Sequence, residues 1–155
     1  MIEKLKKPIN LKLFLLRYLP MAFFAGLKLQ KFEPGHTAVS VPFNWITKNP
    51  FKSMYFAVQA MAAEFSTAVL LVRHIEASGS DIALIVVSIK ADFLKRAQTR
   101  TTFTCDSGTL VQETVEKAVN SGMPEVVTLN SIGRNLNNET VSEFQITWSL
   151  KKRVS

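Results

Sequence analysis

Glu64 is the only charged residue between Ser53 and Val72, a twenty-residue stretch reading SMYFAVQAMAAEFSTAVLLV. At helical spacing its neighbours are Ala60, Met61, Thr67 and Ala68, none of them basic. An ionised carboxylate in such surroundings costs several kcal/mol unless another part of the fold partners it. Glu64 is therefore either a satisfied structural anchor or a working group. Just upstream lie Asn49, Ser53 and Tyr55. Ser53 has no histidine placed to activate it as a nucleophile. His36 follows the Pro34-Gly35 turn without a metal-ligating companion and reads as a surface histidine. Cys105, the single cysteine, reads as a buried bystander, excludes an internal disulfide and suits a reducing compartment.

The whole chain sets the bounds for that chemistry. Its 155 residues are 47% hydrophobic and 20% charged, an ordinary globular composition long enough for one domain. A formal net charge of +7 favours anionic partners. The basic residues run along the chain without a dense basic helix or an aromatic-basic signature, so nucleic acid is not an expected partner. The central stretch has the length of a membrane span, but Glu64 near its middle and the strands that follow point to a buried helix of a soluble protein. Stable membrane insertion is not expected. Lys4, Lys6 and Lys7 ahead of apolar residues mimic a signal peptide, yet Lys12, Arg17 and Pro20 interrupt the run, so the expectation is a mature cytoplasmic chain.

The elements that must position Glu64 can be placed by period and punctuation. Leu11, Phe14, Leu15 and Leu19 give an amphipathic helix over Ile9–Leu19, ending before Pro20. It reads as a lid on a sheet or, with Phe23 and Phe24 as wedges, as a membrane-surface contact. Strands are expected over Leu27–Phe32 and Thr37–Trp45, with Pro42 marking the second as an edge or a bulge. Asn49 as N-cap and Pro50 as first helical residue predict a helix start there, running to about Ala77 before Ser78-Gly79-Ser80. The apolar run Ile82–Ile89 predicts a central strand buried on both faces. Another strand follows over Gln98–Asp106, and a helix over Ser107–Gly122 with Gly122 as its C-cap. Glu125–Arg134 and Thr140–Lys151 complete the set, joined by an Asn137-Asn138 turn. A long helix apolar nearly all round must be enclosed, and one curved antiparallel sheet wrapping it is the simplest enclosure, an α+β fold.

That order, with the string Asn-Pro-Phe-x-Ser-x-Tyr-Phe-Ala…Ala-Ala-Glu, resembles the hotdog fold, and within it the PaaI-like thioesterase superfamily in a branch known mainly as a domain of unknown function. Asn49 takes the family's asparagine position, Lys52-Ser53 its Gly-Thr position, Tyr55-Phe56-Ala57 its His-Gly-Gly position, and Glu64 its acidic position. Phe93-Leu94-Lys95-Arg96-Ala97 is similar to the family's apolar-basic-Pro-Ala segment, and Val141–Trp148 to its closing strand. The resemblance covers roughly residues 25–152 as hotdog core, with residues 1–24 an accessory N-terminal helix of one domain spanning 1–155.

The resemblance implies hydrolysis of an acyl-CoA or acyl-carrier thioester. The substrate carbonyl would sit at the start of the central helix, on the amides of Phe56 or Ala57 beside Ser53. Glu64 would be base or nucleophile, with Tyr55 and Asn49 as further catalytic candidates, often across a dimer interface. Lys90, Lys95, Arg96 and Arg100 would meet the coenzyme A phosphates. No cofactor or metal is implied beyond coenzyme A as part of the substrate; the expected assembly is a homodimer or tetramer. Tyr55, Phe56 and Ala57 depart from His-Gly-Gly, and Phe56 could fill the carbonyl site. A non-catalytic acyl-CoA or fatty-acyl binder and a dimerisation module with Glu64 paired across the interface are the alternatives.

Overall fold

The computed structural model describes residues 2–153. A short 3-10 helix, Ile2–Lys6, leads into α1 (Pro8–Tyr18) and α2 (Pro20–Ala25), then β1 (Lys28–Phe32) and β2 (Thr37–Val41). The long helix α3 (Phe56–Ser78) is followed by β3 (Ile82–Phe93), β4 (Thr101–Cys105), α4 (Gly108–Ser121), β5 (Glu125–Arg134) and β6 (Thr140–Lys152). All strand pairings are antiparallel, in the order β1-β2-β4-β5-β6-β3. This single curved sheet wraps α3, the hotdog architecture.

The core between helix and sheet is apolar. Val39, Leu70, Leu71, Phe103, Leu129 and Ile146 are wholly buried in it. A row of polar bonds sets how α3 is rotated against the sheet. Ser142 Oγ donates to Gln59 Oε1 at 2.8 Å, and Ser66 Oγ and Ser131 Oγ share a hydrogen bond at 2.8 Å. Trp148 Nε1 donates to Thr67 Oγ1 at 3.0 Å. Each joins a buried polar group to a partner that would otherwise be orphaned, so slipping or rolling the helix would strand several at once. With Gln59, Ser66 and Thr67 held to the sheet, Glu64 faces the N-terminal helices.

Several sequence expectations are corrected. Helix α3 begins at Phe56, not at Pro50. Asn49 does cap, but it caps a turn: its Oδ1 accepts the N–H groups of Phe51 (3.0 Å) and Ser53 (3.2 Å). Lys52 takes a left-handed φ of 58° there, which a helix running on from Pro50 could not contain. β2 is interior, between β1 and β4, with all five residues buried, and it stops before Pro42 instead of using it at an edge. β3 is no central strand. It pairs only with β6 and forms a sheet edge, with Ile85, Val87 and Ile89 exposed. The N-terminal region holds two helices, broken at Leu19 because Pro20 starts a second.

Candidate active site

Two of the pockets that α3 lines divide the residues that the sequence singles out. The first is a cleft of about 750 Å3 at the helix start, lined among others by Asn49, Ser53, Tyr55, Phe56, Lys95 and Arg96. The loop before α3 is fixed by backbone bonds. Met54 N–H donates to Ala97 O and Tyr55 N–H to Thr47 O, each at 2.8 Å. Tyr55 is the N-cap with extended backbone (φ −60°, ψ 134°) and offers no side-chain cap. The N–H groups of Phe56 and Ala57, the first two of the helix, have no acceptor among the described residues. Unpaired amides at the positive end of a 23-residue helix form a ready site for a developing negative charge.

Aromatic contacts build the cleft wall. The Tyr55 and Phe56 rings meet edge to face at 4.9 Å, Phe56 meets Phe93 at 6.5 Å, and Phe93 meets the buried Phe144 at 5.7 Å. Both Tyr55 and Phe56 are exposed. Phe56 therefore forms part of the cleft wall.

Glu64 lies in the second pocket, about 180 Å3, roofed by the α1–α2 elbow from Tyr18 to Ala22 and floored by Met61 and Phe65. Its carboxylate has no hydrogen bond or ion pair among the described residues, and burial alone pushes its pKa from 4.5 up to about 7. A partnered structural anchor would be held low instead. Thr67, one turn on, is engaged with the Glu64 main-chain oxygen and Trp148, not with the carboxylate. Eight residues of helix separate Glu64 from Phe56, so the carboxylate stands roughly 12 Å along the axis from the free amides. One small carbonyl cannot reach both within a single chain.

The expected phosphate cluster is dispersed. Lys95 and Arg96 line the first cleft, and Lys95 Nζ is engaged by Glu139 Oε1 at 2.6 Å. Lys90 lies opposite Gln145 on β3, and Arg100 Nη1 donates to Ser40 Oγ at 3.4 Å; neither lines the cleft. Lys48 and Gln59 do line it, and sequence reasoning did not select them. Lys48 is brought there by its antiparallel bridge to Met54, which no periodicity announces. No group of three or more His, Cys, Asp or Glu that could hold a metal occurs among the described residues. His36 is paired with Asp106, and His74 Nε2 lies 2.8 Å from Pro34 O, so neither histidine serves Ser53. Cys105 is buried, its thiol pKa raised chiefly by burial.

A six-stranded antiparallel sheet around one long helix, with free amides at the helix start and a lone carboxylate two turns on, defines a hotdog-fold protein. The chain belongs to the domain-of-unknown-function family DUF4442, whose model matches residues 10–150. Among solved structures it is similar to a Pseudomonas aeruginosa protein of unknown function described as a probable thioesterase. The two are 18% identical with a TM-score of 0.80, covering 95% of this chain and 97% of that one. A Chlorobaculum tepidum protein of unknown function is 13% identical at TM-score 0.78, covering 93% of each chain. A thioesterase from Haemophilus influenzae is 16% identical at TM-score 0.65, covering 92% of this chain and 90% of the other. At these identities the likeness is one of fold. No curated protein matches the chain.

Proposed function

We propose that the protein is a thioester hydrolase whose active site forms between two copies of the chain. The observation that carries this reading is the separation on α3: free Phe56 and Ala57 amides at its start, and an unpartnered Glu64 carboxylate eight residues on in a different pocket. In a twofold dimer the helix start of one protomer can face the Glu64 pocket of its partner, which brings together what one chain keeps apart. The exposed β3 edge supplies the means. It is twelve residues long and carries uncovered Ile85, Val87 and Ile89, the kind of edge that pairs with another strand. β1, at the opposite edge, has five residues, a bulge between Leu29 and Lys31, and two lysines, all of which discourage pairing.

The chemistry follows from these groups. The thioester carbonyl oxygen accepts the Phe56 or Ala57 amide, and the helix dipole stabilises the oxyanion as water attacks. Glu64, ionised above about pH 7, takes the proton from that water and returns it to the departing thiolate. Tyr55 lines the cleft close enough to orient a bound carbonyl or water, while Asn49 shapes the loop through its turn and Ser53 borders the carbonyl position. The substrate class is an acyl-CoA or acyl-carrier thioester, with Arg96, Lys95 and Lys48 at the cleft as the cations for a phosphate-bearing arm. Coenzyme A belongs to the substrate, no resident cofactor is called for, and the site of action is the cytoplasm.

The test is free-thiol release from short- to long-chain acyl-CoA substrates by wild type and Glu64→Gln. Release by wild type that disappears in a folded Glu64→Gln protein supports the assignment. Release untouched by the substitution removes Glu64 from the chemistry. No release from any substrate, with acyl-CoA still bound, replaces the enzyme with an acyl-binding module.

A further inference from the structure

The basic residues run the length of the chain, but the acidic ones do not. Between Lys4 and Phe32 there are seven lysines and arginines and no aspartate or glutamate. The other twelve basic residues are matched in number by the twelve acids, so the excess of +7 lies in the stretch from Lys4 to Phe32, where Lys6 is paired with Glu3 just ahead of it. All seven of these basic residues are exposed.

Helix α1 is apolar on two sides. Leu11 and Leu15 are buried against the body of the protein. On the opposite side Ile9, Leu13 and Leu16, spaced four and then three apart, form a second stripe at 62%, 60% and 49% exposure. Lys12 and Arg17 flank that stripe on either side by helical geometry, each about 40–60° from its edges. In α2, which follows directly, Phe24 is also 61% exposed. An apolar ridge flanked by Lys12 and Arg17, on helices α1 and α2 that hold no acid, has a specific complement. We propose that the outer face of α1 and α2 docks on the surface of an anionic phospholipid bilayer, with Leu13, Leu16 and Phe24 entering the headgroup region and Lys12 and Arg17 meeting lipid phosphates. A second copy of the chain does not fit this face. A twofold contact would set Lys12 and Arg17 against the same two residues with no acid in α1 or α2 between them. The binding is peripheral and reversible, because α1 keeps its inner face on the protein. It does not depend on the thioester reading.

The experiment is flotation of the full chain with vesicles of phosphatidylcholine, with and without about one third phosphatidylglycerol. Wild type should float with the anionic vesicles and at least about tenfold less with neutral ones or at high salt. Leu13→Ser with Phe24→Ser keeps every charge and should weaken binding at least about tenfold, with unchanged circular dichroism. Lys12→Gln with Arg17→Gln keeps the ridge and should weaken it about as much. Absence of wild-type binding overturns the proposal, and so does binding by the serine variant equal to wild type, which would mean charge alone. A change in oligomeric mass of the serine variant by sedimentation velocity also overturns it, since the face would then cover another copy.

Discussion

On the proposed reading two groups eight positions apart on α3, the Phe56 amide and the Glu64 carboxylate, carry the chemistry, and each can be altered almost alone. Tyr55 already has the extended backbone that a residue before proline requires, and the first helical position needs no N–H for the helix itself. Phe56→Pro should therefore keep α3 and delete one oxyanion donor, lowering kcat by about 10²–10³-fold. Phe56→Ala retains the amide and should stay well above the proline variant, and steady-state kinetics on both separates amide from ring. Glu64 gives a second signature. Folded, it holds its proton up to about pH 7, whereas an unperturbed glutamate loses it near 4.5. Between those values the native state binds the extra proton, so this group's contribution to stability is intact below pH 4.5 and is lost as pH rises to about 7. Glu64→Gln removes that slope. Urea melts should show the variant gaining on wild type by up to about 3 kcal/mol between acidic and mildly alkaline pH.

Among the elements, the sheet is tightest where β5 crosses β4 and β6. A Cβ on Gly133 would lie 2.6 Å from Phe103 Cε1 and 2.9 Å from Ser142 Oγ. Phe103 is wholly buried, and Ser142 holds Gln59 of α3, so neither can yield without disturbing the core. Gly133→Ala should cost about 1–3 kcal/mol of stability, measured by thermal or urea unfolding, where unchanged stability would refute the close packing. The elements differ in how far the sequence announces them. β5 and β6 were readable to within a residue, because each faces the core on alternate positions and Asn138 tolerates the positive φ of the turn between them. α4 ends at Gly122, left-handed as a C-cap glycine should be. The start of α3 was not readable in the same way. Asn-Pro is a true capping signal, yet nothing local tells a capped turn from a capped helix when the loop before α3 is fixed by the distant Met54 N–H to Ala97 O bond and closed on itself by Tyr55 N–H to Thr47 O. β3 misled for a related reason, since an edge strand awaiting a partner and a buried central strand both demand apolar residues on two faces.

For the molecule as a whole, the proposed reading makes a single chain an incomplete unit. Its sheet ends in an exposed apolar edge, its helix start is open, and its carboxylate points into a separate pocket. Glu64 could be singled out from sequence because it is the lone charge between Ser53 and Val72, the apolar part of the helix. The cleft around the helix start could be read only in part: Asn49, Ser53, Tyr55 and Phe56 adjoin in sequence, but Lys48, Gln59 and the split of the basic residues depend on how loops cross. The match to DUF4442 over residues 10–150 takes in most of α1, all of α2 and the sheet up to the last two residues of β6.

Subunit complementation tests the composite site most directly. Glu64→Gln and Phe56→Pro chains, each nearly inactive alone, are unfolded together and refolded as an equimolar mixture, and thiol release is compared with wild type. If one protomer supplies the amide and its partner the carboxylate, half of the randomly formed dimers carry one intact site, and about a quarter of wild-type activity should return. Mixed dimers seen by native mass spectrometry with no activity regained would contradict a site shared between chains.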